Sequence, residues 1–135
     1  MIVVDTHVLV YAVLPGEQTA DVNRAALRDG DWVAPALWRR EFRNVLATAM
    51  RLRGLTLARA LEAFAAAETL VADAPLEPST EECLETAARG GVSAWEAEFV
   101  FVAERLGARM VTSDRRLARA FPACVTLLGD FVARP

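Results

Sequence analysis

The chain contains no lysine, one histidine and two cysteines. Each scarcity removes a class of chemistry. Without lysine there is no side-chain amine to act as nucleophile or Schiff base. With His7 as the only imidazole and no metal-type Cys or His spacing, a zinc site or a histidine-based triad is not expected. Cys83 and Cys124 lie far apart; they could form one bridge, but buried free thiols in a reducing compartment are expected instead. Long apolar runs are missing too. The longest apolar-rich stretch, residues 2–14, is interrupted by Asp5, Thr6 and His7, well short of the roughly 18 to 20 residues a membrane span needs. It has no basic leader, so it reads as structure and not as a signal peptide. Together these absences predict a cytoplasmic protein with no membrane association.

What is present fits a filled interior. A length of 135 residues, 54% of them hydrophobic, matches one domain over residues 1–135. All fifteen basic residues are arginine, against eighteen acids, for a formal net charge of −3. That balance does not advertise a nucleic-acid binder. The arginines nevertheless gather, at Arg39, Arg40 and Arg43, at Arg51, Arg53 and Arg59, and at Arg115, Arg116 and Arg119. Solvated helix faces are the plain explanation for each group, and phosphate contact is the alternative.

The punctuation predicts helices alternating with short strands. Residues 2–4 read as a buried strand, while 7–14 are ambiguous between strand and helix. A helix is expected over 19–29, a strand over 32–34, then a helix from Pro35 to about Arg53 and another from Thr56 to about Leu70. After a short strand near 70–72, Ser79 opens a helix with Glu82 set for a capping box, and Ser93 opens the next. A strand over 109–112, a short helix over 114–121 and a strand over 124–127 complete the pattern. Strands separated by helices imply parallel pairing, hence an α/β chain folded as a three-layer α/β/α sandwich around a short parallel sheet.

In such a sheet, functional groups collect where strands hand over to helices. Four acids occupy such places. Asp5 ends the first strand, Glu41 lies in the second turn of a helix, Glu96 in the first turn of another, and Asp114 follows the strand ending at Thr112. Glu41 shares its helical face with Leu37, Trp38 and Val45, and Glu96 shares its face with Val92, Phe99 and Val100. An anion on an inward face is costly unless compensated. Crowded carboxylates would also raise one another's pKa values, a conflict that a hard divalent cation such as Mg²⁺ or Mn²⁺ resolves. Taken singly, each acid has a plainer role: strand-end or cap for Asp5, an arginine pair for Glu41, a capping box from Ser93 for Glu96, and the helix dipole for Asp114. Their joint placement on one sheet edge is what points to a divalent-cation site, where a bound ion can activate a water and stabilise charge on a phosphate under attack.

The opening Ile2-Val3-Val4-Asp5-Thr6-His7-Val8-Leu9 resembles the start of a PIN domain, in particular the VapC-type toxins of bacterial toxin–antitoxin pairs. Residues 35–46 around Glu41, 92–107 around Glu96, and Met110-Val111-Thr112-Ser113-Asp114-Arg115-Arg116-Leu117 agree in order and spacing. The resemblance implies a Mg²⁺- or Mn²⁺-dependent endoribonuclease, an RNA substrate, a cognate antitoxin and a homodimer. It implies a metal site among Asp5, Glu96 and Asp114, with Glu41 also catalytic and Thr112 close by. Thr112, Arg115 and Arg116 are expected to contact the substrate, the two arginines by holding its phosphates. One departure stands out: Trp95-Glu96-Ala97 occupies the place of a usual Tyr-Asp-Ala, which extends the acid by one methylene. Glu98, two residues on and facing elsewhere, is a weaker candidate for the same role. A phosphoacceptor receiver domain would need a lysine after a later strand, and a haloacid-dehalogenase-type phosphatase would need both a lysine and an Asp where His7 stands. The remaining alternative is a PIN-fold protein that binds RNA or a partner without cutting.

Overall fold

The computed structural model describes all 135 residues. In chain order its elements are β1 (Ile2–Val4), α1 (Thr6–Val13), α2 (Thr19–Arg28), β2 (Trp32–Ala34), α3 (Trp38–Arg53), α4 (Leu57–Leu70) and β3 (Val71–Asp73). They continue with α5 (Thr80–Gly90), α6 (Ala94–Leu106), β4 (Arg109–Thr112), α7 (Arg115–Ala120), β5 (Val125–Leu127) and α8 (Leu128–Ala133). The strands form a single sheet in the order β3-β2-β1-β4-β5. Every pairing is parallel, with Val3 opposite Val33 on one side and Met110 on the other. The expected α/β sandwich is therefore the fold observed.

Hydrophobic burial explains the order. Ile2, Val3 and Val4 are all buried, as a central strand covered on both faces must be. The connections to β2 and β3 step one way along the sheet, and the connection from β3 returns across β1 to β4. Right-handed crossovers place these two sets of helices on opposite faces. Accordingly α1 packs on α2, α3 and α4, while α5 packs on α6 and α6 lies across β1 and β4. Trp38, Phe42 and Phe64 lock α3 onto α4, with ring centroids 5.5 to 5.8 Å apart.

Some local expectations shift. The ambiguous stretch after Asp5 is a helix, because Thr6, Val8, Leu9 and Val10 are all buried in that conformation, although Thr6, Val8 and Val10 are β-branched. Helix α3 begins at Trp38 and not at Pro35; residues 35–37 form a tighter turn through Trp38 N–H donating to Pro35 O at 3.0 Å. Glu41 consequently sits in the first turn of α3 rather than the second. Both expected capping boxes are present, Ser79 with Glu82 and Ser93 with Glu96. Both cysteines are free thiols. No helix is long and apolar enough to cross a membrane. Helix α8 was not expected from the sequence, where Gly129 interrupts an already short apolar pattern; burial of Leu128 and Phe131 organises it.

Candidate active site

The strand order changes direction between β1 and β4, which splays apart the connections leaving their C-terminal ends. A crevice opens there in open α/β sheets. Asp5 stands directly on it, its N–H donating to Val111 O of β4 at 3.0 Å. Thr112, the last residue of β4 and wholly buried, donates its hydroxyl to Asp5 Oδ2 at 2.5 Å. The same Thr112 oxygen accepts the N–H of Asp114 at 3.1 Å. Its one proton is thus directed at Asp5 and its lone pair at Asp114, so a single hydroxyl fixes both acids. Asp114 caps α7, with Oδ1 accepting from Arg116 N–H at 2.8 Å and Leu117 N–H at 3.2 Å.

The other two acids arrive from the flanking helices. The hydroxyl of Thr6 donates to Glu41 Oε1 at 2.9 Å, tying the start of α1 to the first turn of α3. Glu96 Oε2 accepts the N–H of Ser93 at 3.0 Å, closing its capping box. Its other oxygen accepts from the Arg116 guanidinium at 2.8 Å. All four carboxylates, with His7 and Tyr11, line one cleft of about 340 Å³.

The charges feel this proximity. Burial pushes the Asp5 carboxyl above its ordinary value, opposed by the Thr112 hydroxyl, by His7 and by the backbone N–H groups of Thr6 and His7. Burial also pushes Glu41 up; the negative charges of Asp5 and Glu96 act in the same direction, and the Thr6 hydroxyl and His7 against it. The expected repulsion between acids is therefore felt at Glu41, whereas at Asp5 burial alone raises the carboxyl. No three of the acid groups converge closely enough, as they stand, to hold one ion between them.

Counting oxygens separates the four. Asp5 Oδ1, Glu41 Oε2 and Asp114 Oδ2 form no side-chain hydrogen bond or ion pair, whereas both oxygens of Glu96 are engaged. Glu98 lies away from the cleft, where the charge felt by its carboxyl comes from Glu77. The adjacent arginines diverge: Arg116 reaches over Glu96, while Arg115 lines a different depression beyond α7. Sequence reasoning assigned no role to Thr6, His7 or Tyr11. The available signal was the spacing of His7 and Tyr11, four residues apart and so on one face of α1 once that segment is helical. For Thr6 the signal was a hydroxyl directly beside an acid at a strand end.

The family model for the PIN domain matches residues 2–121. The chain belongs to the PIN domain family. Its sequence is 28% identical over 138 residues to ribonuclease VapC3 of Pyrobaculum aerophilum, an alignment covering 93% of this chain and 98% of that protein. The crystal structure of PAE2754 from Pyrobaculum aerophilum superposes with a TM-score of 0.79 at 21% identity, over 98% of this chain and 94% of that one. Such a likeness extends the shared PIN fold to nearly the full length of the chain. Helix α8, beyond the residues matched by the family model, belongs to the superposed length.

Proposed function

We propose that this PIN domain is a Mg²⁺- or Mn²⁺-dependent endoribonuclease that hydrolyses RNA phosphodiester bonds, acting as the toxin of a toxin–antitoxin pair. The observation that carries this reading is the gathering of Asp5, Glu41, Glu96 and Asp114 in one cleft at the switch point of the sheet. The name of its VapC3 relative points the same way. The donor set fits a hard divalent cation. Asp5 and Asp114 each offer an unengaged oxygen, and Mg²⁺ is commonly held by one or two carboxylates with waters completing its shell. Glu96 joins them once Arg116 releases its Oε1. Such an ion, when bound, supplies Lewis acidity and a more acidic water.

The chain's own groups do the rest. Thr112 acts by holding Asp5 and not, as the resemblance suggested, in contact with substrate, because it is wholly buried and both ends of its hydroxyl are taken. Glu41 is anchored through Oε1 and keeps Oε2 free in the cleft, where a raised pKa suits it to take a proton from water. Arg115 and Arg116 hold phosphates of the RNA. The acidic cleft would also accept an arginine from an antitoxin, whose guanidinium stands in for the cation, and two copies of the chain associate as a homodimer.

Purified protein should cut single-stranded or looped RNA with Mg²⁺ or Mn²⁺ and lose that activity in chelator. Asp5→Asn should abolish cleavage in a folded protein, since it removes charge and little volume. Cleavage unaffected by chelator sinks the metal reading, and an unfolded Asp5→Asn chain makes Asp5 structural. The full engagement of Glu96 favours one second reading, a PIN-fold protein that binds RNA or a partner without cutting. RNA bound but uncut at saturating Mn²⁺ would select it.

A further inference from the structure

Helix α7 is a wall between two clefts. Asp114 and Leu117 face the acid cleft, whereas Arg115, Ala118 and Arg119 face a second one of about 350 Å³, backed by β5 and by Arg134 after α8. The side chains of Arg115, Arg119 and Arg134 take part in none of the ion pairs of the chain. One acid, Asp130, lines the same cleft and pairs with none of them. Three unmatched guanidinium groups around one depression invert the local sign of a chain whose net charge is −3. At the cleft's back lies Thr126, 4% exposed, whose hydroxyl is the one buried side-chain polar atom in the molecule without a hydrogen-bond partner. Buried polar groups are almost always satisfied, so an unpaired hydroxyl in the lining of the same cleft as three unpaired guanidinium groups points to a polar ligand there.

We propose that this cleft is a second phosphate site, gripping the RNA backbone on the far side of α7 from the bond that is cut. Guanidinium forks and a hydroxyl match the several acceptor oxygens of a phosphodiester. The arginines and Thr126 come with no aromatic side chain on which a base could stack, so the site positions the strand without reading its sequence. A helix with its side chains is about 10 to 12 Å across, so one strand lying in the acid cleft can cross α7 and reach Arg119. The inference rests on the ribonuclease reading for its ligand, and free phosphate shares the same chemistry.

The test compares RNA binding by the uncut-substrate form Asp5→Asn with and without Arg119→Ala and Arg134→Ala, across a salt series. Loss of two phosphate contacts should flatten the log–log salt slope by about 1.4, at roughly 0.7 per contact for a single strand. Arg119→Lys with Arg134→Lys should keep most of the slope, and Arg24→Ala with Arg59→Ala, on other faces, should leave it unchanged. Inorganic phosphate titrated into the wild-type chain should shift the amide resonances of Thr126 and Leu127. An unchanged slope in the double alanine variant overturns the proposal. A shift with inorganic phosphate alongside that unchanged slope identifies a free-anion site instead, and an equal fall in the Arg24/Arg59 control reduces the effect to net charge. Wild-type cleavage with metal is measured in parallel. RNA gripped here but never cut overturns the nuclease reading and leaves the second site standing, while RNA cut with the slope unchanged does the reverse.

Discussion

Two demands meet on the carboxylate of Glu96. Its Oε2 closes the capping box of α6, and its Oε1 holds Arg116 at 2.8 Å. The Arg116 side chain is 61% exposed, and an ion pair so open to water is worth at most about 1 kcal/mol. A divalent cation in the cleft would outbid it, which makes Arg116 and the metal competitors for one oxygen. Arg116→Ala should therefore tighten Mn²⁺ binding, read by calorimetry without RNA, while weakening RNA binding. Glu96→Gln should do the opposite to the metal. A capping box accepts Gln, so the helix start should change by less than about 1 kcal/mol in thermal unfolding, yet Mn²⁺ affinity and cleavage should fall sharply. Wild-type metal titration and cleavage in the Gln variant would confine the site to Asp5, Glu41 and Asp114. Mn²⁺ affinity unchanged in Arg116→Ala would show that the pair is no obstacle.

At the scale of elements, the end of α5 depends on a missing side chain. A Cβ built on Gly90 would lie 2.2 Å from the ring of Phe121, which is buried and stacked under Arg89. Alanine normally gains about 0.5 to 1 kcal/mol over glycine inside a helix, but overpacking costs about 1 to 3 kcal/mol. The clash should win, so Gly90→Ala should lower the midpoint of chemical unfolding, and Phe121→Leu on the same background should recover part of the loss. A stabilised Gly90→Ala chain would mean that the ring moves freely. Sequence patterns marked Gly90 and Gly91 as a helix end but not this contact with Phe121, because packing between residues so far apart in the chain leaves no local trace. Capping boxes at Ser79 and Ser93, the β-branched strand at Ile2 and the acids at the handovers were legible, since each depends on neighbours within one turn or on one sheet edge. The start of α3, the helical state of residues 6–13 and helix α8 were not. Each is decided by what packs against it, as with Leu128 and Phe131 in α8. The same limit applied to the site: the acids were visible, but the direction of Arg116 and the two hydroxyls that orient Asp5 and Glu41 depend on three-dimensional neighbours.

For the whole molecule, the acid cleft trades stability for charge. Burial raises the carboxyl pKa of Asp5 and of Glu41 above the ordinary values, and for Glu41 the neighbouring acids add to the effect. The folded chain then holds protons more tightly than the unfolded one across the interval between ordinary and raised values. Stability rises with pH only where the unfolded state binds more protons, so here the sign is reversed. This contribution is complete below the ordinary carboxyl pKa and is lost as pH climbs through the raised values. Paired carboxylates elsewhere pull the other way: the Asp29 carboxyl is lowered by the N-terminal ammonium and by the Asp31 N–H, although its own burial opposes this. Metal-free protein should therefore gain thermal stability on moving from neutral to mildly acidic solution by more than the same move gives Asp5→Asn, which lacks one of the two acids with raised pKa values. Adding Mn²⁺ at neutral pH should replace the protons, raising stability by about 2.7 kcal/mol at a hundredfold excess over its dissociation constant. It should do so far less in mild acid, where protons compete for the same oxygens. A Mn²⁺ stabilisation equal at both pH values, or equal in wild type and Asp5→Asn, would show that the ion binds somewhere other than this cleft.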